Sequence, residues 1–347
     1  MTYFGFVRAG GVLLAGATGV LVAGAAGLVA VLLATSLVEF VGLAASTMLF
    51  AICSGYTHAL NCLFNAARIR SVVAVGAGFE AVGRIAMVAG VIAYVGPTST
   101  AVMIGYAGAA APLLLVQLAL ATRLIRRRII TEVSASAAPW VRQMWIFSWP
   151  LMAAGVFNWA YFASQRWSLE LFVSTAEVGR FYALTQVASA PVAVAGSLLM
   201  TTIQPVLYSR MGDPSSSLNR EYVRRALRLV VRLGLLGTLA LVIAAATLHD
   251  WAYRILVSSD YSELSSLLPA VVAATSLLQV SIALGSYIAI TNNTRAGLVK
   301  DVVGNAAVAA INMLFTYLAG VHGLVAGMVV GALIHLSWTY RVVSRLK

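Results

Sequence analysis

An acidic and a basic side chain lie one helical turn apart inside an apolar stretch, at Glu80 and Arg84. Residues four apart share a face of a helix, so these two side chains can pair. An ionisable group deep in an apolar helix costs about 2.5 to 3.5 kcal/mol on insertion scales, and it normally faces a bundle interior or a water-filled cavity. Arg84 is therefore a candidate for binding a phosphate or carboxylate group with its planar fork. Mutual neutralisation of Glu80 and Arg84 between helices is the structural alternative.

A second group of polar and aromatic residues surrounds Arg166. Asn158, Trp159 and Tyr161 precede it in the same apolar stretch, and Gln165 lies beside it. Aromatic rings pack on sugar faces, amides hydrogen-bond to hydroxyl groups, and the guanidinium group binds phosphate. These residues are candidates for a sugar and phosphate surface, and Gln186 in the next stretch is a separate intramembrane amide that could line a sugar path. Tryptophan and arginine near a helix end equally form an anchor at the membrane interface.

Four arginines spaced four residues apart form a stripe at the start of one predicted helix. They are Arg220, Arg224, Arg228 and Arg232. Their side chains can extend to the headgroups of anionic phospholipid. Arg228 and Arg232 are also candidates for capturing a lipid-linked diphosphate.

Residue patterns typical of enzymes and metal sites are absent from the sequence. The four histidines are scattered, and there is no Walker A, nucleophile-elbow or zincin motif. Cys53 and Cys62 lie nine positions apart on one predicted helix, so they fall on opposite faces and cannot form a disulfide with each other. We expect a protein that is not an enzyme and has no metal or cofactor.

The elements that position these candidate residues are long apolar helices. Hydrophobic residues make up 61% of the chain and charged residues 10%, which excludes an ordinary soluble domain. A helix that crosses a bilayer needs about 20 residues, and we find about ten stretches of sufficient length. They span residues 10–38, 40–66, 71–95, 98–122, 145–173, 178–207, 226–248, 264–290, 297–318 and 323–343. The predicted fold class is all-α, a polytopic integral membrane protein with about ten transmembrane helices.

Basic residues cluster in every second gap between these stretches. One set of gaps contains Arg68, the run from Arg126 to Arg128, Arg210, Arg295 and Lys300, whereas the alternate gaps contain few basic residues. The positive-inside rule places the basic gaps and both termini in the cytoplasm. This topology explains most of the net charge of +12, so the charge indicates contact with anionic phospholipid and not with nucleic acid.

The chain also contains a faint internal repeat. Residues 40–124 and 264–345 each comprise a long helix, a short turn with asparagine followed by arginine, and a helical hairpin. Such repeats are typical of secondary transporters, whose substrate site lies at the repeat interface near the bilayer midplane. We predict a four-helix N-terminal lobe at 1–124, a cytoplasmic loop at 125–144 and a six-helix C-terminal lobe at 145–347. The first lobe is expected to lack two helices.

Short motifs extend through the second half of the chain. They are Ser148-Trp149-Pro150-Leu151, Asn158-Trp159, Gln165-Arg166, Val178-Gly179-Arg180-Phe181-Tyr182, Ser189-Ala190-Pro191, Gln204-Pro205, Leu267-Leu268-Pro269, Asn292-Asn293-Thr294-Arg295 and His322-Gly323. With these motifs the chain resembles the bacterial polysaccharide-repeat flippases, the Wzx-type members of the multidrug/oligosaccharidyl-lipid/polysaccharide exporter superfamily.

The resemblance implies a two-lobe exporter fold around a central cavity that opens alternately to either side of the bacterial cytoplasmic (inner) membrane. The implied cargo is an undecaprenyl-diphosphate-linked oligosaccharide for O-antigen lipopolysaccharide or exopolysaccharide, and the implied partners are glycan polymerase or export proteins. The chain departs from the family at its start, which corresponds to the third helix. It also has Gln165 where the family often has an aspartate, which places an ion pair with Arg166 in doubt.

Three other functions are open at this point. A drug or organic-cation antiporter of the same superfamily needs acids in its cavity, and Glu80 is the one deeply placed acid, with Arg84 beside it. A truncated chain that no longer transports could serve as a membrane partner in a glycan-assembly complex. A membrane glycosyltransferase needs acids for metal binding or general-base chemistry, and the predicted outer loops are short and offer few.

Overall fold

The protein is described by a computed structural model that covers residues 3–34, 40–67, 69–128, 138–212, 216–257 and 259–346. Within these ranges the chain is helical and contains no strand. The helices are α1 (Tyr3–Ala34), α2 (Val41–Ala66), α3 (Arg70–Val95), α4 (Ser99–Arg128), α5 (Ala138–Phe172), α6 (Thr175–Met211), α7 (Ser217–Leu256), a 3₁₀ helix (Ser259–Leu267), α8 (Leu268–Ile290) and α9 (Thr294–Arg345). The prediction of an all-helical chain is confirmed.

Helix α9 is a hairpin of two straight segments. The backbone leaves helical geometry at Ala319 and at Gly320, where φ is 57°. Glycine adopts this left-handed conformation without the steric penalty of a side chain. We call the two segments α9a (294–318) and α9b (321–345).

Serine residues begin two of the long helices. The Ser174 hydroxyl accepts a hydrogen bond from the backbone N–H of Glu177 at 3.3 Å, and Ser216 accepts one from the N–H of Asn219 at 3.4 Å. Each serine thereby satisfies one of the N–H groups that the first helical turn leaves unpaired. These caps fix where α6 and α7 begin.

Helices long and apolar enough to cross a membrane make up most of the chain. Within the described ranges there are seven of them, namely α2, α3, α4, α6, α7, α8 and α9. Many large apolar side chains on these helices are exposed, among them Val82, Ile85 and Leu236. The structure supports a multi-pass membrane protein, whereas the count of ten spans and the sides of the termini stay predictions.

The chain divides into two compact units, Met1–Met144 and Trp145–Lys347. In unit 1, α4 packs closely on α3, because a Cβ atom placed on Gly105 would lie 2.7 Å from the backbone of Val88. Polar contacts join its other helices. Thr18 of α1 donates a hydrogen bond to the Tyr56 hydroxyl of α2 at 2.7 Å.

Unit 2 is built around α8. One apolar cluster joins α8 to α5, α6 and α9b through Leu169, Leu184, Val271 and Leu324, all fully buried. A second cluster joins the far end of α8 to α7 and α9b around Tyr287. The structure therefore holds α8 between the other helices of this unit, and the role of the two units as exporter lobes stays a prediction.

Candidate functional site

The predicted Glu80–Arg84 pair forms in unit 1. The Arg84 guanidinium donates a hydrogen bond to Glu80 Oε1 across one turn of α3. The guanidinium carbon also lies 5.2 Å from the ring centre of Phe50 on α2 and 5.6 Å from that of Tyr106 on α4. Cation–π contacts at these distances are attractive. Arg84 therefore joins three helices of unit 1 at one point.

This arrangement holds Arg84 but does not enclose it. The side chain keeps 35% of its exposure and that of Glu80 keeps 17%. The buried Nε of Arg84 has no hydrogen-bond partner among the described residues. Glu80 neutralises the guanidinium, so an anionic ligand must compete with this carboxylate. Anion binding at Arg84 stays a prediction.

Arg166 is exposed on α5, and its guanidinium carbon lies 4.9 Å from the ring centre of Tyr182 on α6. No carboxylate of the described residues forms an ion pair with this guanidinium. Its N–H groups also donate no hydrogen bond to another described residue. A guanidinium held by its face against a ring leaves its edge free to donate hydrogen bonds. Arg166 is thus oriented by Tyr182 and remains available to an anion.

The other candidates in this part of the chain share the exposed surface. At about 100° per residue, Asn158, Trp159 and Arg166 lie on one side of α5, and all three are exposed. Trp159 meets Trp167 edge to face with ring centres 5.6 Å apart. Gln186 is exposed one turn after Tyr182 on α6. We call Asn158, Trp159, Arg166, Tyr182 and Gln186 the Arg166 surface.

The Gln165 side chain points away from the Arg166 surface and into the interior of unit 2. It is buried, and its Nε2 has no hydrogen-bond partner among the described residues. Deeper on the same side, the buried hydroxyls of Ser168 and Thr316 lie 3.2 Å apart. The polar groups on the inner side of α5 therefore connect it to α9a, and Gln165 takes no part in an exposed site.

An apolar pocket of about 270 Å³ opens between α6, α7 and α8. Its wall contains Gly196, Gly234 and Gly237, and Ser276, whose buried hydroxyl has no partner in the described part of the chain. The remaining lining is Val192, Ala195, Leu199, Met200, Val230, Leu233, Thr238, Leu241, Gln279, Val280 and Ala283. Such a lining suits a hydrocarbon chain.

The arginine stripe on α7 does not face this pocket. Arg232 lies two residues from both Val230 and Gly234, which places it on the opposite side of α7 from the lining. Arg228 is likewise two residues from Val230 and donates a hydrogen bond to Glu221 at 3.1 Å. Arg228 and Arg232 are both exposed. Their predicted contact with phosphate is therefore separate from the pocket.

Sequence reasoning missed two features of unit 2. The first is Tyr182 as the partner of Arg166, which depends on the packing of α5 against α6. The second is a buried polar cluster around Lys300. We counted Lys300 with the basic residues of a cytoplasmic gap, whereas the structure buries it within α9a. Asp301 beside it is a further acid within an apolar helix. The adjacent Lys300-Asp301 pair, inside a stretch long enough to span a membrane, is the signal that could have indicated this cluster.

Metal-binding side chains do not gather in the described ranges. No group of three or more histidine, cysteine, aspartate or glutamate residues there could hold a metal ion. Cys53 is buried and Cys62 exposed, both as free thiols.

The chain has been compared with protein-family models, with curated proteins and with solved structures, and none of them matches it.

Proposed function

We propose that the protein is a flippase that moves a lipid-linked oligosaccharide across the bacterial cytoplasmic membrane by alternating access. The observation that carries this proposal is the exposed Arg166 guanidinium on the Tyr182 ring. The same surface presents an indole and two amides, from Trp159, Asn158 and Gln186. The distribution of basic residues supports a cytoplasmic location for both termini.

The Arg166 surface offers the groups that an anionic sugar chain needs. Rings supply flat apolar faces for pyranoses, and the amides of Asn158 and Gln186 both donate and accept hydrogen bonds to hydroxyl groups. The free edge of Arg166 can form two parallel hydrogen bonds to a phosphate or uronic-acid carboxylate. A cargo that combines sugars with negative charge satisfies all of these groups at once.

A lipid carrier fits the rest of unit 2. The pocket between α6, α7 and α8 is apolar, and it begins at Val192, about 15 Å along α6 from Tyr182. A cargo with a hydrocarbon tail and a charged sugar head can contact both the pocket and the Arg166 surface, because α6 contributes residues to each. Undecaprenyl-diphosphate-linked sugars have this chemistry, and glycan polymerase or export proteins would receive the product.

Export of organic cations is the second candidate function, and it has less support from the side chains of the structure. A cation site needs an available carboxylate. Glu80 is bound to Arg84, and Asp301 is bound to Lys300. The Arg166 guanidinium supplies a positive charge, which favours an anionic cargo, while the exposed Glu170 carboxylate lies one turn further along α5.

Mass spectrometry of lipid-linked oligosaccharides tests the proposal. Deletion of the gene should cause one such species to accumulate, and the 347-residue chain should clear it. The variant Arg166→Ala should fail to clear it. Arg210→Ala is a matched control, because Arg210 lies over another tyrosine ring, that of Tyr222, at 5.6 Å.

Two results would overturn the proposal. One is the absence of any accumulated lipid-linked sugar in the deletion strain. The other is clearance by Arg166→Ala at the wild-type level with equal protein in the membrane. Clearance only by a chain carrying two further N-terminal helices would instead favour the non-transporting partner.

A further inference from the structure

Five polar side chains from α8, α9a and α9b lie next to one another inside unit 2. Lys300 Nζ lies 2.5 Å from Asp301 Oδ1, and the same oxygen lies 3.9 Å from His335 Nε2. On the other side of the ring, His335 Nδ1 lies 2.8 Å from the hydroxyl of Ser281, which donates a hydrogen bond to Thr339 Oγ1 at 2.9 Å. We call these residues the Lys300 cluster.

The cluster is enclosed. Ser281 and Thr339 are fully buried, His335 is 3% exposed and Lys300 is 6% exposed. Asp301 is the most accessible member, with 26% of its side chain exposed. A proton acceptor in an enclosed cluster needs a route to the outside, and Asp301 is the member through which this cluster reaches the surface of the unit.

Two glycines make room for the charged groups. A Cβ atom on Gly285 of α8 would lie 3.4 Å from Lys300 Nζ, and one on Gly304 of α9a would lie 3.1 Å from His335 Cδ2. The helices therefore approach closely around the cluster. A change of partner within it must alter how α8, α9a and α9b pack.

Asp301 is placed between two basic groups and is within hydrogen-bond distance of only one. With Lys300 as ammonium, Asp301 as carboxylate and His335 as neutral imidazole, the cluster has no net charge. A proton added to the ring creates a second buried cation, and the carboxylate 3.9 Å from Nε2 is the nearest counter-charge. In an apolar interior an unpaired charge is strongly unfavourable.

The groups that face His335 come from three helices. In the described ranges, α9a contributes the charges of Lys300 and Asp301, whereas α8 contributes the Ser281 hydroxyl and α9b that of Thr339. The Ser281 hydroxyl has one hydrogen. When it donates to Thr339, His335 Nδ1 must carry its own hydrogen toward Ser281, which leaves Nε2 open to a proton on the side of Asp301.

We propose that the Lys300 cluster is a proton-binding site in which Asp301 exchanges partners. A proton from water, relayed past Asp301, binds His335 Nε2, and the Asp301 carboxylate moves from Lys300 to the imidazolium. Lys300 then lacks a counter-ion and extends its flexible side chain toward the start of α9a, about 9 Å away along the helix axis. Loss of the proton reverses each step. The site acts on the packing of α8 and α9 and does not depend on the identity of the cargo.

The chain's lysine content makes this exchange measurable. Lys300 and Lys347 are its two lysines. Reductive methylation of the purified protein in lipid nanodiscs, read by peptide mass spectrometry, reports the modification of each. The ratio of Lys300 to Lys347 modification cancels the common effect of pH on amine reactivity. Because burial and the neighbouring Lys300 ammonium both disfavour the imidazolium, we expect this ratio to rise at least about tenfold on acidification from about pH 7 to about pH 4.

Two variants and one matched control identify the groups involved. In His335→Gln the ratio should stay low across the range, because no imidazolium draws Asp301 away. In Asp301→Asn it should be high at every pH, because Lys300 has no carboxylate partner. His322→Gln removes an exposed histidine of the same hairpin and should keep the wild-type profile.

A second measurement keeps the proposal testable if His335→Gln does not fold. Nitrogen-15 NMR of labelled histidine in the variant His58→Gln/His249→Gln/His322→Gln, where His335 is the one histidine left, should show this ring titrating over the pH range in which the labelling ratio rises. A flat labelling ratio in the wild-type protein would overturn the proposal. So would a ratio that rises identically in a folded His335→Gln variant.

Discussion

The guanidinium carbon of Arg166 lies 4.9 Å from the centre of the Tyr182 ring, and this contact joins the exposed sides of α5 and α6. The ring holds the guanidinium in place, and the described residues place no carboxylate within 4.0 Å of its nitrogen atoms. An interfacial anchor needs only the positive charge and the aromatic surface. A binding site for phosphate or carboxylate also needs the fixed plane and the fork of donors.

Arg166→Lys separates these two roles. Lysine keeps the charge but loses the planar fork, so the affinity for an acidic lipid-linked oligosaccharide should fall at least about tenfold. Membrane insertion and thermal stability should not change. The affinity can be measured by microscale thermophoresis on purified protein. Arg210→Lys, in the similar Arg210–Tyr222 contact, should bind as the wild type does, and equal affinity in both variants would favour the anchor.

Glu80 and Arg84 should behave as a coupled pair. Each change alone, Glu80→Gln or Arg84→Gln, leaves one partly buried charge without its partner, whereas the double variant removes both. A double-mutant cycle in detergent unfolding should therefore give a coupling of about 1 kcal/mol. Transport should fall in Arg84→Ala while the protein inserts normally. Wild-type transport in the Glu80→Gln/Arg84→Gln variant would instead assign this pair a structural role alone.

The helices could be predicted from the sequence, whereas the contacts of the candidate residues could not. Long apolar stretches predict helices by themselves, and the break at Ala319 and Gly320 falls in the gap predicted between the stretches 297–318 and 323–343. The pairing of Glu80 with Arg84 follows from their spacing of four. Lys300 was counted with the basic residues of a cytoplasmic gap, and its burial, which depends on Gly285 in a different helix, shows only in the structure.

Unit 1 contains an interhelical hydrogen bond whose loss should be measurable. The buried Gln117 of α4 donates from Nε2 to Asn61 Oδ1 of α2 at 3.1 Å. Gln117→Leu should destabilise the protein by about 1 kcal/mol, as expected for such bonds between membrane helices. Adding Asn61→Leu should recover part of this loss, because no buried amide is then unpaired. Unfolding in SDS, followed by circular dichroism, measures both. Gln186→Leu, at an exposed amide, should leave stability unchanged, and an equal loss there would contradict the argument.

The α9 hairpin should be sensitive to a single added methyl group at Gly331. A Cβ atom at this position would overlap the side chain of Val308 on the facing segment α9a, so Gly331→Ala forces the two segments apart. We expect a loss of about 1 to 3 kcal/mol, typical of overpacking. Adding Val308→Ala removes the overlapping methyl groups, so the double variant should be more stable than Gly331→Ala alone. The free energy of unfolding in SDS provides the measurement.

Gly155→Ala is the matched control for this prediction. The same methyl group on α5 would meet no other side chain or backbone atom within 4 Å. Alanine is the better helix former by about 1 kcal/mol, so this variant should be as stable as the wild type or slightly more so. If Gly331→Ala were as stable as Gly155→Ala, the segments α9a and α9b would not approach each other as closely as the structure shows. The close packing of α9a on α9b would then be ruled out as a reason for glycine at position 331.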